Sequence, residues 1–209
     1  MNYSDKQIQI MEAAEELFAE KGFNGTSVRD IAEKAQVNLA MISYYFGSKD
    51  KLLETLFEYR GELSKTKLVS IIEKPNTTSL EKVYLLIDNY IDKVFNQQCF
   101  YKIFTREQVL TQTGHIAELI LQMKKNNQEN ISRLIQEGQK KGEFKKNIDT
   151  ALMMHTIVGT ANHLITTKHH YRELNNLQSL SEEELLKLIR KKLATHLKFI
   201  IKAILTHEV

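Results

Sequence analysis

The feature that most limits the fold of this sequence is its near lack of proline, which occurs once among 209 residues, at Pro75. Proline breaks helices because it lacks a backbone N–H and its ring clashes with the preceding turn. Apolar residues also recur at intervals of three and four along most of the chain, and no alternation of period two is long enough to indicate a strand. The sequence therefore predicts an all-α protein of about nine helices.

Capping signals place the ends of these helices. Four pairs have the spacing of a capping box, in which two side chains satisfy free backbone donors at a helix start: Ser4 and Gln7, Ser27 and Asp30, Thr78 and Glu81, and Ser181 and Glu184. The predicted helices cover residues 4–22, about 28–35, about 39–45, 49–72, about 79–95, about 100–111, 116–142, about 149–167 and 181–206.

Composition narrows the class of protein without identifying a partner. The single cysteine, Cys99, cannot form an internal disulfide or a cysteine-based zinc site, and we see neither a signal peptide nor an apolar run suited to a membrane, so we expect a cytoplasmic protein. The net charge is only +3, and residues 1–53 contain six Lys and Arg against eight Asp and Glu. Charge alone therefore does not show which region would bind DNA.

The spacing of the first three helices carries the functional signal. The second and third are short and are separated by a tight turn at residues 36–38, which is the pattern of a helix-turn-helix motif. In this motif the second helix of the pair enters the major groove by its N-terminal end, and the first lies across the DNA backbone. Four apolar residues are spaced to pack the pair together: Ile31, Ala32, Val37 and Ile42.

Residues 26–53, TSVRDIAEKAQVNLAMISYYFGSKDKLL, closely resemble the DNA-binding segment of the tetracycline-repressor-like (TetR) family of bacterial transcription regulators. The similarity lies in the VRDIA core, the valine of the turn, the YYF run and the lysine followed by two leucines. It implies a helix-turn-helix DNA-binding domain at residues 1–48. It also implies a ligand-binding and dimerisation domain at 49–209, beginning with a connecting helix at 49–72.

The resemblance and the chemistry of the side chains together assign DNA contacts. Hydroxyls and cations suit the phosphates, and the candidates are Ser27, Tyr44, Tyr45 and Lys49. Arg29 is a candidate for contact with either the DNA backbone or the groove. Base edges are left to Asn38, Leu39, Ala40, Met41 and Ser43. The sequence departs from the family in two places, because Gln36 replaces a common glycine and Leu39-Ala40 stand where many members have lysine and glycine. The missing lysine implies fewer phosphate contacts and a weaker dependence of binding on salt.

In this family the C-terminal portion encloses a ligand pocket. The resemblance assigns eight candidate lining residues: Tyr84, Phe95, Phe100, Tyr101, Phe104, Met123, Met154 and His155. Walls of this kind suit an apolar or amphipathic small molecule, although residues at helical spacing fit an ordinary core as well. Nearby, Asp88 and Asp92 would suit a cationic ligand and Lys102 or Arg106 an anionic one, and the sequence leaves both open.

The family also packs its last two long helices against those of a second copy in a four-helix bundle. A dimer is favoured on physical grounds too, because its two helix-turn-helix domains can bind two DNA half-sites roughly 34–36 Å apart. The candidate interface residues are Val158, Leu193, Leu197, Ile200 and Ile204. The apolar stripe that contains most of them could equally serve the core of a single chain.

These features predict a ligand-responsive, sequence-specific transcription regulator. We expect a homodimeric repressor that a small molecule releases from a palindromic operator in double-stranded DNA, with no cofactor, no metal and no membrane partner. The alternative is a helical enzyme or carrier, but the titratable candidates Asp88, Asp92, Glu107 and His155 fit no reaction template. The histidines His155, His163, His169 and His170 lack the spacing of four that would bring imidazoles together on a helix, so we expect surface or packing roles for them.

Overall fold

The computed structural model describes residues 3–111 and 113–206. Over these residues the chain is entirely helical, with ten helices and no strand, which confirms the predicted all-α class. The helices are α1 Asp5–Lys21, α2 Val28–Lys34, α3 Leu39–Phe46, α4 Lys49–Ile72, α5 Ser79–Asn96, α6 Gln98–Leu110, α7 His115–Lys140, α8 Thr150–Thr166, α9 Lys168–Leu174 and α10 Glu182–Leu205. The additional helix relative to the predicted nine is the short α9.

The predicted capping boxes start their helices as expected. In α1, α2 and α10 the cap is a serine whose hydroxyl accepts from the backbone N–H three residues later, while the side chain there accepts from the serine N–H. Thr78 and Glu81 make the same reciprocal pair before α5. These local bonds explain why the helix starts could be predicted to within a residue or two.

The chain divides into two compact units. The first contains residues up to Thr66 together with Gln97–Lys125, and the second contains Lys67–Asn96 and the chain from Asn126 onward. The long helices α4 and α7 each contribute to both units. This division follows packing, whereas the predicted boundary after residue 48 divides the chain by function and stays a prediction.

In the first unit, α1 lies at the centre of the packing. It contacts α6 most extensively and then α2, and α2 contacts α3. Ile10, Phe18, Ile31 and Phe57 lie almost completely buried in the shared core. A buried ion pair joins α1 to α4, because Arg60 Nε lies 2.7 Å from Glu15 Oε2 with side chains only 17% and 8% exposed. The predicted DNA-binding helices therefore belong to a larger unit that includes α6.

The second unit has its own core, formed mainly by α5, α8 and α10. Helix α5 packs chiefly against α10 and then α8, and the buried side chains include Ile87, Leu134, Leu197 and Ile201. Gly138 in α7 lies under Phe144, whose ring would be about 2.2 Å from a Cβ at this position. A side chain here would displace that ring, so the glycine is required by close approach. Among the described residues no helix is long and apolar enough to cross a membrane.

Candidate DNA-binding surface

The turn between α2 and α3 has a left-handed residue at its first position. Gln36 has φ +51°, a conformation that glycine adopts easily and other residues rarely. Its N–H donates to the carbonyl of Glu33 at 3.0 Å, and the N–H of Val37 donates to the carbonyl of Ala32 at 3.0 Å. These bonds close the end of α2 and turn the chain into α3. The missing family glycine is thus replaced by a glutamine held in the same kind of conformation.

Helix α3 presents a continuous exposed arc. Successive residues are about 100° apart on a helix, so Leu39, Ala40, Ser43 and Tyr44 share one side, and all four are exposed. Tyr44 is the most open, at 82%. Ile42 and Phe46 lie beside this arc, on the part of the helix surface next to Leu39, and are buried in the core. Four of the predicted contact residues therefore share a surface that a groove could receive.

Two other predicted contact residues of α3 lie outside the exposed arc. Met41 and Tyr45 are half-buried and pack against the core of the first unit. The ring of Tyr45 lies edge-on to that of Tyr44, with centroids 5.0 Å apart. Part of each side chain is therefore used in packing, and only the remainder can reach DNA.

Asn38 is the N-cap of α3. Its Oδ1 accepts a hydrogen bond from the backbone N–H of Ala40 at 2.9 Å. The bond fixes the plane of the amide and keeps its oxygen against the first turn. Asn38 is exposed, so the side of the amide available to a base is the NH2 group.

Ser27 and Arg29 lie at the start of α2. The Ser27 hydroxyl donates to Asp30 Oδ2 at 2.7 Å and accepts from the Asp30 N–H at 3.1 Å. Hydrogen bonds from the Ser27 N–H and hydroxyl hold the pKa of Asp30 below its ordinary value. A carboxylate thus already occupies the helix end where a phosphate was predicted, while Arg29 in the first turn is exposed.

Lys49 is directed into its own domain. Its Nζ donates to the carbonyl oxygens of Phe23 at 2.8 Å and Thr26 at 2.9 Å, and it lies 4.2 Å from the centroid of the Phe23 ring. An ammonium has three donors, so one remains for a phosphate oxygen. The structure therefore gives Lys49 a clamping role between the start of α4 and the loop before α2, and its phosphate contact stays a prediction.

Sequence reasoning missed two residues that fix the position of the helix-turn-helix. Gln9 Nε2 donates to the carbonyl of Ala35 at 2.8 Å, which ties α1 to the end of α2. Arg106 Nη1 donates to the carbonyl of Phe18 at 3.0 Å, which ties α6 to the end of α1. Gln9 and Ala35 are 26 residues apart in the sequence, and Arg106 and Phe18 are 88 apart. Local spacing therefore gave no signal for either contact.

The predicted pocket residues fall into separate groups. In the first unit, Phe100, Tyr101 and Phe104 form an aromatic cluster with Phe57, and burial raises the pKa of Tyr101. Met123 packs against the same core and touches Gly61. The remaining candidates belong to the second unit: Tyr84 and Phe95 pack against its core, Met154 is half-buried, and His155 is exposed with Nδ1 2.8 Å from the carbonyl oxygen of Ala151.

The predicted dimer residues also divide by burial. Leu193 and Leu197 are 2% and 0% exposed in the core of the second unit, so they offer no surface to a second copy. Both lie in the core that α10 shares with α5 and α8, so the single chain already uses the inner side of α10. Ile200 and Ile204 are half-buried, and Val158 is 36% exposed. The interface itself stays a prediction, carried by these three residues and their exposed neighbours.

The charged residues considered for ligand selection mostly have partners within the chain. Asp88 pairs with Lys198 at 2.6 Å and Asp92 pairs with Arg190, both between α5 and α10. Arg106 binds the carbonyl at the end of α1. Lys102 is exposed on α6. Three of the four therefore have structural contacts that explain them.

A short capped helix, a tight turn and a second helix with one exposed face define a helix-turn-helix DNA-binding protein. Comparison with known proteins agrees. Residues 10–56 match the model of bacterial regulatory proteins of the tetR family, and residues 76–166 match the tetracyclin repressor-like C-terminal domain. The chain therefore belongs to the TetR family of transcription regulators.

Individual relatives point the same way. The Probable HTH-type transcriptional regulator YttP of Bacillus subtilis is 33% identical over 65% of this chain and 66% of its own length. The fatty acid metabolism regulator protein of B. subtilis is 29% identical over 78% of this chain and 82% of its own. A solved structure, the regulator FadR from B. subtilis in complex with stearoyl-CoA, is 26% identical with a TM-score of 0.66, covering 91% and 96% of the two chains.

Proposed function

We propose that this protein is a homodimeric repressor in the bacterial cytoplasm whose effector is a long-chain acyl thioester. The observation that carries the DNA-binding part is the exposed arc of α3, which follows the turn at residues 36–38 and packs against α2. A role as regulator rather than enzyme is supported by its relatives, which are transcription regulators.

The acyl ligand is inferred from two relatives and one feature of this chain. One relative is named for fatty acid metabolism, and a solved neighbour holds stearoyl-CoA. In the second unit, burial lowers the pKa of Lys93 in α5 to about 8, with Lys67 adding to the effect. Lys93 is a half-buried cation of this unit, and a cation suits the anionic phosphates of coenzyme A. We infer an amphipathic ligand with an acyl chain and an anionic head group.

The dimer is proposed to form through the outer faces of α8 and α10. Phe199 on α10 is 73% exposed and Leu152 on α8 is 66% exposed, so each helix has a large apolar side chain on its outer face. An open groove of about 560 Å³ follows α10, lined by Leu188, Lys191, Lys192, Thr195, His196 and Phe199. Replacing Phe199 with glutamate should give monomers in analytical ultracentrifugation. A dimer unaffected by that change would place the interface elsewhere.

The experiment that tests the function uses DNA from upstream of the gene that encodes this chain. In fluorescence anisotropy the full-length protein should bind this duplex in preference to a scrambled duplex of the same composition. Stearoyl-CoA should weaken binding by about 5-fold to 150-fold, the usual range of allosteric coupling. Coenzyme A alone and stearate alone are the controls. If stearoyl-CoA leaves DNA binding unchanged, the proposed effector is wrong. The repressor role then depends only on whether the protein prefers the upstream duplex over the scrambled one.

A variant separates the acyl-CoA proposal from general inhibition. Lys93→Met should keep DNA binding and lose much of the response to stearoyl-CoA, because the cation proposed to meet the phosphates is gone. Lys187→Met is the matched control, since Lys187 is exposed and paired with Glu183 on the same helix. An equal response in wild type and Lys93→Met would show that Lys93 does not meet the ligand.

A further inference from the structure

The exposed arc of α3 has an unusual composition for a surface that reads DNA. The sequence of the helix is LAMISYYF, so it contains no charged residue and no amide side chain. Leu39 is 41% exposed and Ala40 is exposed beside it in the first turn. Ser43 and Tyr44 add hydroxyls further along the arc. The leading end of the helix, which enters the groove first, is therefore mainly alkyl.

This composition excludes the common hydrogen-bond readers from the arc. Guanine is read by a bidentate arginine or lysine, and adenine by a bidentate asparagine or glutamine that donates and accepts at once. The nearest amide is Asn38, whose Oδ1 is held by the N–H of Ala40 at 2.9 Å. Because this bond fixes the amide and uses its oxygen within the first turn, the NH2 group can donate to a base, but the side chain is poorly placed for the paired contact that adenine requires.

What remains is apolar contact, and the major groove of ordinary DNA offers one apolar group, the C5 methyl of thymine. We propose that α3 reads its half-site chiefly through thymine methyl groups that contact Leu39 and Ala40. Asn38 and Ser43 then add single hydrogen bonds. This inference rests on the proposed function, and it specifies the chemistry of the operator: thymines at the base steps facing the first turn of α3.

Arg29 is the competing reader outside α3. It lies exposed in the first turn of α2, and an arginine there could reach a guanine. The two possibilities predict different operators, because methyl reading selects thymine and arginine reading selects guanine at the most discriminating step. The sequence of selected half-sites therefore decides between them.

The test begins with selection of binding sites from a random pool of duplex DNA by the full-length protein. The selected half-site should contain thymines at its most discriminating steps. Each of these is then replaced by deoxyuridine, which removes the methyl and keeps the base-pairing groups. Binding should weaken by about fourfold for each methyl that is buried against the protein.

Two variants assign the effect to its residue. The Leu39→Ala variant should bind the thymine site and the deoxyuridine site with nearly equal affinity at one step, because the side chain that contacts the methyl is gone. Leu174→Ala is the matched control, since Leu174 is 83% exposed and lies in the second unit. This variant should prefer the thymine site over the deoxyuridine site as strongly as the wild type does.

The outcomes separate the inference from the function on which it rests. A guanine-dominated half-site, or one insensitive to deoxyuridine, would overturn methyl reading while the repressor role stood, and loss of binding in Arg29→Gln would then identify the reader. A pool with no enriched sequence would overturn the DNA-binding role and methyl reading together.

Discussion

The two units differ in how deeply they bury the ion pairs between their helices. The most buried pair of the first unit, Arg60 with Glu15, has side chains only 17% and 8% exposed. In the first unit, side chains reach backbone carbonyls at helix ends and loops, as Gln9, Lys49 and Arg106 do. In the second unit, α5 and α10 are joined by ion pairs that are 30–51% exposed, Asp88 with Lys198 and Asp92 with Arg190. Contacts to carbonyls fix the geometry of loops, whereas exposed ion pairs contribute little and are screened by salt. The unit that presents α3 thus contains the more deeply buried ion pair.

The largest effect expected from this difference concerns the two arginine ion pairs. Arg60→Met should destabilise the protein by about 3–5 kcal/mol, because Glu15 is left charged and buried without its partner. Arg190→Met, at the exposed pair, should cost about 1 kcal/mol or less. Urea denaturation measures both. Similar costs for the two variants would remove the distinction between the units.

The pH dependence of stability gives a second measure of the Glu15 site. Burial raises the pKa of Glu15 above its ordinary value of 4.5, although the hydrogen bond and charge of Arg60 oppose the shift. The folded protein then holds this proton more tightly than the unfolded chain. The resulting stability is present below the unfolded pKa and is lost as pH rises through the folded pKa. Relative to Glu15→Gln, the wild type should lose stability from acidic toward neutral pH, and a difference independent of pH would contradict this shift.

Two lysines of α4, Lys49 and Lys51, should differ in how much they contribute to stability, by a smaller amount than the arginines. Lys49→Met removes two charge-assisted hydrogen bonds to carbonyls, so it should cost about 1–3 kcal/mol. Lys51→Met removes only an ion pair between the exposed Lys51 and Glu54, so it should have a smaller effect on stability. Thermal unfolding of the two variants checks this. If Lys49 also meets a phosphate, its loss should reduce the slope of log affinity against log salt by about 0.9. Equal stability in both variants would argue against the clamp.

The smallest effect concerns the turn. Gln36→Gly should stabilise the protein by up to about 1 kcal/mol, because the left-handed conformation strains any residue with a Cβ. The greater freedom of glycine in the unfolded chain offsets part of this gain. Gln128→Gly, inside α7, should instead destabilise by about 1 kcal/mol. Denaturant midpoints of the two variants should therefore move in opposite directions.

The sequence predicted features that depend on neighbouring residues. Both ends of α4 were predicted at Lys49 and Ile72, because the start follows Ser48, whose hydroxyl accepts from the N–H of Lys51, and the end precedes Pro75. Helix α9 was missed because it follows α8 through Thr167 alone, without a side-chain cap or a glycine to mark a break.

Features that depend on distant residues could not be predicted in this way. The carbonyls bound by Lys49 lie 23 and 26 residues earlier in the chain. Periodicity showed that Leu193 and Leu197 belong to an apolar stripe, but it cannot say whether such a stripe faces the same chain or a second one. Of the predicted contact residues in α3, four are exposed: Leu39, Ala40, Ser43 and Tyr44. Met41 and Tyr45 are half-buried because they pack against core residues from other helices.

The packing of α6 against α1 limits the transfer of this DNA-binding segment to another regulator. The family model ends at residue 56, yet one side of α1 is covered by a helix that begins at Gln98, and Arg106 completes the end of α1. A chimera that joined residues 1–56 to the body of another regulator would expose that apolar side to water. Such a graft needs α6 as well, or a redesigned polar surface on α1.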